Sequence, residues 1–112
     1  MKLFTGLRKI REFERLQLPF IKSIVDFDII IEIGCAEEEG EPLTVKRLLL
    51  LKISSRTTVR RKLAKHIEEG IVIRRMHATD QRAGLLIISP SSVKLISKYA
   101  AALALISASH FK

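Results

Sequence analysis

The chain has 112 residues, of which 47% are apolar and 29% charged. That composition excludes a disordered chain and suffices for one hydrophobic core, not two. The net charge is +8, and the excess is concentrated: residues 44–82 hold eleven Lys and Arg against Glu68, Glu69 and Asp80. A basic segment of that kind favours a polyanionic partner, nucleic acid ahead of an anionic membrane.

Residues 4–17 read as a helix, because Leu7, Ile10, Phe13 and Leu16 recur at three and four with charges between them. Pro19 breaks it. The spacing of Phe20, Ile21, Ile24, Val25, Phe27 and Ile29–Ile31 predicts a buried helix over Phe20–Gly34, although Ile29–Ile33 alone would suit a strand. The polar stretch Glu37–Pro42 then predicts a loop.

Thr44 is a good N-cap for a short helix reaching about Leu51, and Lys52–Ser54 forms a tight turn. Ser54 or Ser55 caps a second helix that closes at Gly70, with Val59, Leu63 and His66/Ile67 along its inner side. Ile71–Met76 and Leu85–Ser89 read as strands, joined by the polar stretch His77–Gly84. Ser89-Pro90 opens a last helix through Val93, Leu95, Ile96, Tyr99, Leu103 and Ile106.

Helix, short turn, helix, strand, polar loop, strand is the order of a winged helix-turn-helix. At about 100° per residue, Ser54, Thr57, Thr58, Arg61 and Lys65 fall opposite Val59, Leu63 and Ile67, with Arg60 and Lys62 flanking that outer face. Ser55 and Arg56 stand in the first turn, where hydroxyls, cations and free N–H groups can meet phosphate oxygens. Arg60 or Arg61 can make a bidentate contact to guanine. Arg74 and Arg75 end the first strand, and Gln81 and Arg82 stand near the loop tip, where an arginine can enter a narrow minor groove.

In this order and spacing, Leu43–Pro90 resembles the MarR family of bacterial transcription regulators. The matching pieces are Leu43-Thr44-Val45, Ser54–Val59, Leu63 with Ile67–Val72, Asp80-Gln81-Arg82 as the wing motif, and Leu86–Pro90. The resemblance implies a recognition helix in the major groove, Arg82 in the minor groove and terminal helices that form a dimer. The chain departs from the family in a shorter N-terminal helix and in Ala83, which stands where a second basic residue would follow Arg82. Some members of the family sense oxidants through a cysteine, but Glu37–Glu39 beside Cys35 raise a thiol pKa rather than lower it.

The expected architecture is mainly α with a small β-hairpin wing. It is a single winged helix-turn-helix domain over 1–112, with N-terminal helices in 4–34, the reading head in 43–89 and a C-terminal helix in 90–108. Leu7, Ile10, Phe13, Leu95, Ile96, Tyr99, Leu103 and Ile106 form a broad apolar stripe that suits a homodimer interface. The expected function is sequence-specific binding of double-stranded DNA by a transcription regulator. The alternative is a winged helix that binds proteins and not DNA.

No enzyme is expected: the sequence carries no activated nucleophile and no phosphate-cradling glycine loop. No metal or cofactor is expected either, since Cys35, His66, His77 and His110 lack the spacing of a zinc site. The residues give no support for the small-molecule effector that the resemblance would allow. The longest apolar run, Tyr99–Ile106, is too short for a membrane span, and a cytoplasmic protein is expected.

Overall fold

The computed structural model describes residues 1–76 and 84–112. They form helices α1 (Leu3–Gln17), α2 (Ile24–Glu38), α3 (Val45–Leu50), α4 (Arg56–Glu68) and α5 (Pro90–His110), and strands β1 (Val72–Met76) and β2 (Gly84–Ile88). Two compact units emerge: residues 1–21 with 90–112, and residues 22–89.

The first unit is the pair α1 and α5. The Lys2 N–H donates to the His110 carbonyl, so the two helices run antiparallel. Gly6 leaves room for the chain end that follows α5, since a Cβ there would collide with the Phe111 ring and the His110 Cβ. Farther along, the Phe13 and Tyr99 rings lie 6.1 Å apart and tilted. Such tilted aromatic pairs add to the free energy of area burial alone.

The second unit packs α2, α3, α4 and the hairpin around Ile29, Ile30, Ile33, Leu48, Leu49, Val59, Leu63, Val72, Leu86 and Ile88. Each of the larger side chains contributes roughly 1.5–3 kcal/mol by leaving water. Ile29, Ile30 and Ile33 are buried at helical spacing, which settles the strand alternative in favour of a helix. The helix is displaced, however, from the expected Phe20–Gly34. Ser23 caps it by accepting from the Asp26 N–H, so Phe20 and Ile21 lie in the turn before it. At the other end Glu37 and Glu38 continue the helix instead of opening a loop. The Glu37 carboxylate accepts from the Ile88 N–H on the outer edge of β2. The Leu86 N–H on that edge donates to the Leu43 carbonyl. A sheet edge covered in this way is withdrawn from pairing with another chain.

β1 and β2 pair antiparallel, with Val72 opposite Ile88, Arg74 opposite Leu86 and Met76 opposite Gly84. Thr44 caps α3 and Ser55 caps α4, each accepting the N–H three residues on. The three interior helix ends share one device. Gly40 and Gly70 follow α2 and α4 with φ of 82° and 76°. Their N–H groups donate to Glu37 and Ile67, and the next residues, Glu41 and Ile71, donate to Ala36 and His66. These are left-handed C-terminal caps. Lys52 takes the same position after α3, with φ of 55° and its N–H donating to Leu49.

A side chain in that backbone region costs about 1–2 kcal/mol relative to glycine. Lys52→Gly is therefore expected to raise unfolding stability by about 1 kcal/mol. Gly70→Ala is expected to lower it by a similar amount, as a backbone effect, because no described atom lies within 4 Å of the added methyl. Urea unfolding of both variants checks the pair.

Candidate nucleic-acid interface

The sequence of α4 gives it two chemically different sides. Val59, Leu63 and His66 are buried, while Arg56, Thr57, Arg60, Arg61, Ala64 and Lys65 are exposed. The expected placement of Thr57, Arg61 and Lys65 on the face away from the core therefore holds. Among the described residues no carboxylate pairs with Arg56, Arg60, Arg61 or Lys65. Ser54 and Thr58 are half-buried. Ser55 is exposed, but its hydroxyl serves the cap: it accepts from the Thr58 N–H at 3.2 Å and donates to the Thr58 Oγ1 at 2.9 Å. The Thr58 hydroxyl hydrogen is left to meet another acceptor.

Arg74 and Arg75 are both exposed on β1 and project to opposite faces of the hairpin. The Arg74 side chain lies over Gly84, filling the space where a Cβ would stand. The absence of a side chain at Gly84 is thus what lets the Arg74 stem lie flat against the hairpin. Gln81 and Arg82, with the rest of 77–83, lie outside the described residues.

Lys62 departs from expectation. Expected to flank the outer face, it turns inward instead: its Nζ donates to Asp26 Oδ2 at 3.3 Å, and its side chain is only 18% exposed. His66 Nε2 lies 2.9 Å from Asp26 Oδ1, with the ring 3% exposed. Asp26 Oδ2 also accepts from the Ser23 hydroxyl and the Lys22 N–H. One buried carboxylate on α2 therefore holds two consecutive turns of α4. Burial pushes the Asp26 pKa up, but the hydrogen bonds from Ser23, His66, Lys62 and the Lys22 N–H outweigh it and hold the carboxyl below its ordinary value. Asp26 was not singled out from the sequence. The signal was present in Ser23-Ile24-Val25-Asp26, a capping-box spacing with Asp in place of Glu.

Cys35 is exposed near the end of α2. The Glu39 carboxylate beside it, with Glu32 and Glu38, pushes its thiol pKa up, as the sequence reading expected. Among the described residues no group of three or more His, Cys, Asp or Glu stands where it could hold a metal ion. No described helix is long and apolar enough to cross a membrane.

No family model matches the chain, and no curated protein matches it by sequence. Solved structures do match its fold. AbsC of Streptomyces coelicolor, a MarR family transcriptional regulator, aligns over 96% of this chain and 72% of its own at 17% identity, with a TM-score of 0.60. A transcriptional regulator from Thermotoga maritima aligns over 88% and 70% at 23% identity, with a TM-score of 0.65. A MarR mutant from E. coli, solved in complex with operator DNA, aligns over 90% and 70% at 17% identity, with a TM-score of 0.62. The fold is a MarR-type winged helix.

In a MarR-type winged helix, α3 and α4 form the helix-turn-helix, and β1 and β2 are the strands of the wing. The Asp26 contacts then tie the second helix of that motif to α2.

The depressed Asp26 pKa has a definite sign in stability. The ionised carboxylate contributes fully above its unfolded value near pH 4. The contribution is lost as pH falls through the lower folded value. Asp26→Asn is expected to be less stable than wild type at pH 7 by about 1–3 kcal/mol, with the gap closing below pH 4. Denaturant unfolding at pH 7, 4 and 2.5 checks it. Cys35 is expected to react with iodoacetamide at pH 8 more slowly than a free cysteine peptide, and to gain rate when salt screens the glutamates.

Proposed function

We propose that the chain is a transcription regulator that binds double-stranded DNA sequence-specifically as a homodimer. The observation that carries this reading is the outer face of α4, where Thr57, Arg60, Arg61 and Lys65 are exposed and no described carboxylate neutralises the cations. A helix of that kind on a helix-turn-helix suits the major groove: Arg61 would read base edges while Arg56 and Lys65 engage phosphates. Arg74 and Arg75 would add contacts from the wing, and Arg82 would reach the minor groove. The E. coli MarR mutant with the same fold was solved on operator DNA, which supports the reading by analogy. The role is binding, without turnover of a substrate, and its place is the cytoplasm.

Dimerisation is proposed through the α1–α5 unit. Leu95, Ile96, Leu103 and Ile106 remain half-exposed on α5. Leu7 is exposed on α1, and Ile10 and Phe13 are half-buried. Phe4, Leu16 and Leu105, at 80%, 78% and 73% exposure, extend the uncovered apolar surface. Tyr99 is buried against Phe13 of its own chain and would take part less directly. A two-fold dimer would present two copies of α4 to half-sites one helical turn apart.

Selection of duplexes from a random library, with the mass of the complex measured beside it, tests the proposal. A palindromic consensus bound by a dimer is expected. Binding should weaken steeply with salt, with a slope of about −0.9 per phosphate neutralised. Arg61→Ala should cost about 1–3 kcal/mol on the selected site and relax its preference. Arg82→Ala should weaken binding to most sequences alike. A variant with Arg60, Arg61 and Lys65 all replaced by alanine that binds as tightly as wild type would overturn the proposal.

A further inference from the structure

Lys62 stands between Arg61 and Leu63 in the most basic run of the chain, yet its ammonium is turned to α2. Its neighbour one turn on, His66, is turned the same way. The two side chains reach opposite oxygens of one carboxylate, Lys62 on Oδ2 and His66 on Oδ1. That carboxylate is itself fixed at the start of α2, because Oδ2 also accepts from the Ser23 hydroxyl and the Lys22 N–H. Asp26 is 4% exposed, so little water competes for these bonds.

Apolar packing at Val59 and Leu63 is non-directional and tolerates a small rotation of α4 about its axis. A carboxylate with both oxygens engaged does not, because its hydrogen bonds weaken steeply away from their geometry. A rotation of α4 would move Arg61 and Lys65 on the outer face by the same angle.

Resting on the reading of α4 as a duplex reader, we propose that Asp26 is a positioning residue for recognition: through Lys62 and His66 it fixes the rotation of α4, and it withholds Lys62 from phosphate. The cationic run Arg60-Arg61-Lys62 thus divides into two groups that face DNA and one that faces the protein. Sequence preference depends on a residue that touches no nucleotide.

The test compares wild type, Asp26→Asn, Lys62→Gln and Lys65→Gln on the selected duplex and on a random duplex across a salt series. Asp26→Asn keeps the shape and removes the charge. It should lose tenfold or more of the preference for the selected site. Its salt slope on random duplex should steepen by about 0.9, because Lys62 is released. Lys62→Gln should leave the slope of wild type unchanged and lose several-fold in preference, whereas Lys65→Gln should flatten the slope by about 0.9.

A purely structural Asp26 would lower the folded fraction without steepening the slope, so that outcome overturns the proposal. If Asp26→Asn fails to fold, Lys62→Gln decides: a slope flattened as in Lys65→Gln means that Lys62 contacts phosphate, and the proposal fails. A wild-type chain with no preference among duplexes removes the reading of α4 together with this proposal. Preserved preference in a folded Asp26→Asn removes this proposal alone.

Discussion

A buried carboxylate that accepts from four donors constrains the unit of residues 22–89 more tightly than non-directional apolar contact does. Asp26 binds the Lys22 N–H and the Ser23 hydroxyl at the start of α2, and Lys62 and His66 on α4. A charge so placed would destabilise the unit if its partners were fewer, because desolvation of an ion costs several kcal/mol. With its donors in place it sets an angle. Hydrophobic burial drives α4 against the body, and Asp26 decides which way α4 faces once there. Among the described residues His66 Nδ1 is buried without a partner. A histidine donating from Nε2 leaves a lone pair at Nδ1, which is less costly to bury than an orphaned N–H.

The helix ends supply the second constraint. A short helix-turn-helix must reverse direction within a few residues, and left-handed residues at the C′ positions do so while satisfying the last carbonyls. Gly40 and Gly70 adopt φ above 70° without a steric penalty. Lys52 adopts φ of 55° despite its side chain, at the turn between the two helices of the motif. That strain persists because α3 and α4 are each pinned elsewhere, at Leu48 and Leu49 in the core and at Asp26.

These constraints differ in how far the sequence reveals them. Thr44, Ser55 and Gly70 act through neighbours three or four residues away, so local chemistry placed the ends of α3 and α4 correctly. Spacing places the start of α2 too early, because the apolar pattern continues backward through Phe20 and Ile21, past the cap at Ser23. Composition places the end of α2 too early as well, because Glu37–Glu39 looks like a solvated run. Glu37 instead reaches a strand 51 residues onward. Separation along the chain likewise hides Asp26 from Lys62 and His66, 36 and 40 residues away. Helical periodicity located both faces of α4, but it could not tell whether a flanking lysine turns to solvent or to a carboxylate from another helix.

Lys62 shows why the charge of a segment overstates its capacity for a polyanion. Eleven cations between residues 44 and 82 make the segment basic, yet each one counts toward phosphate only if it is exposed and unpaired. Lys62 meets neither condition, while Arg60, Arg61 and Lys65 are exposed and have no carboxylate partner among the described residues. The difference follows from the rotation of α4: a turn of 100° per residue sends position 61 outward and position 62 toward α2. The direction in which such a helix presents its bases is therefore tied to the acid on the inside as well as to the apolar face. Because those bases are fixed to one rigid rod, a single buried carboxylate can orient all of them at once.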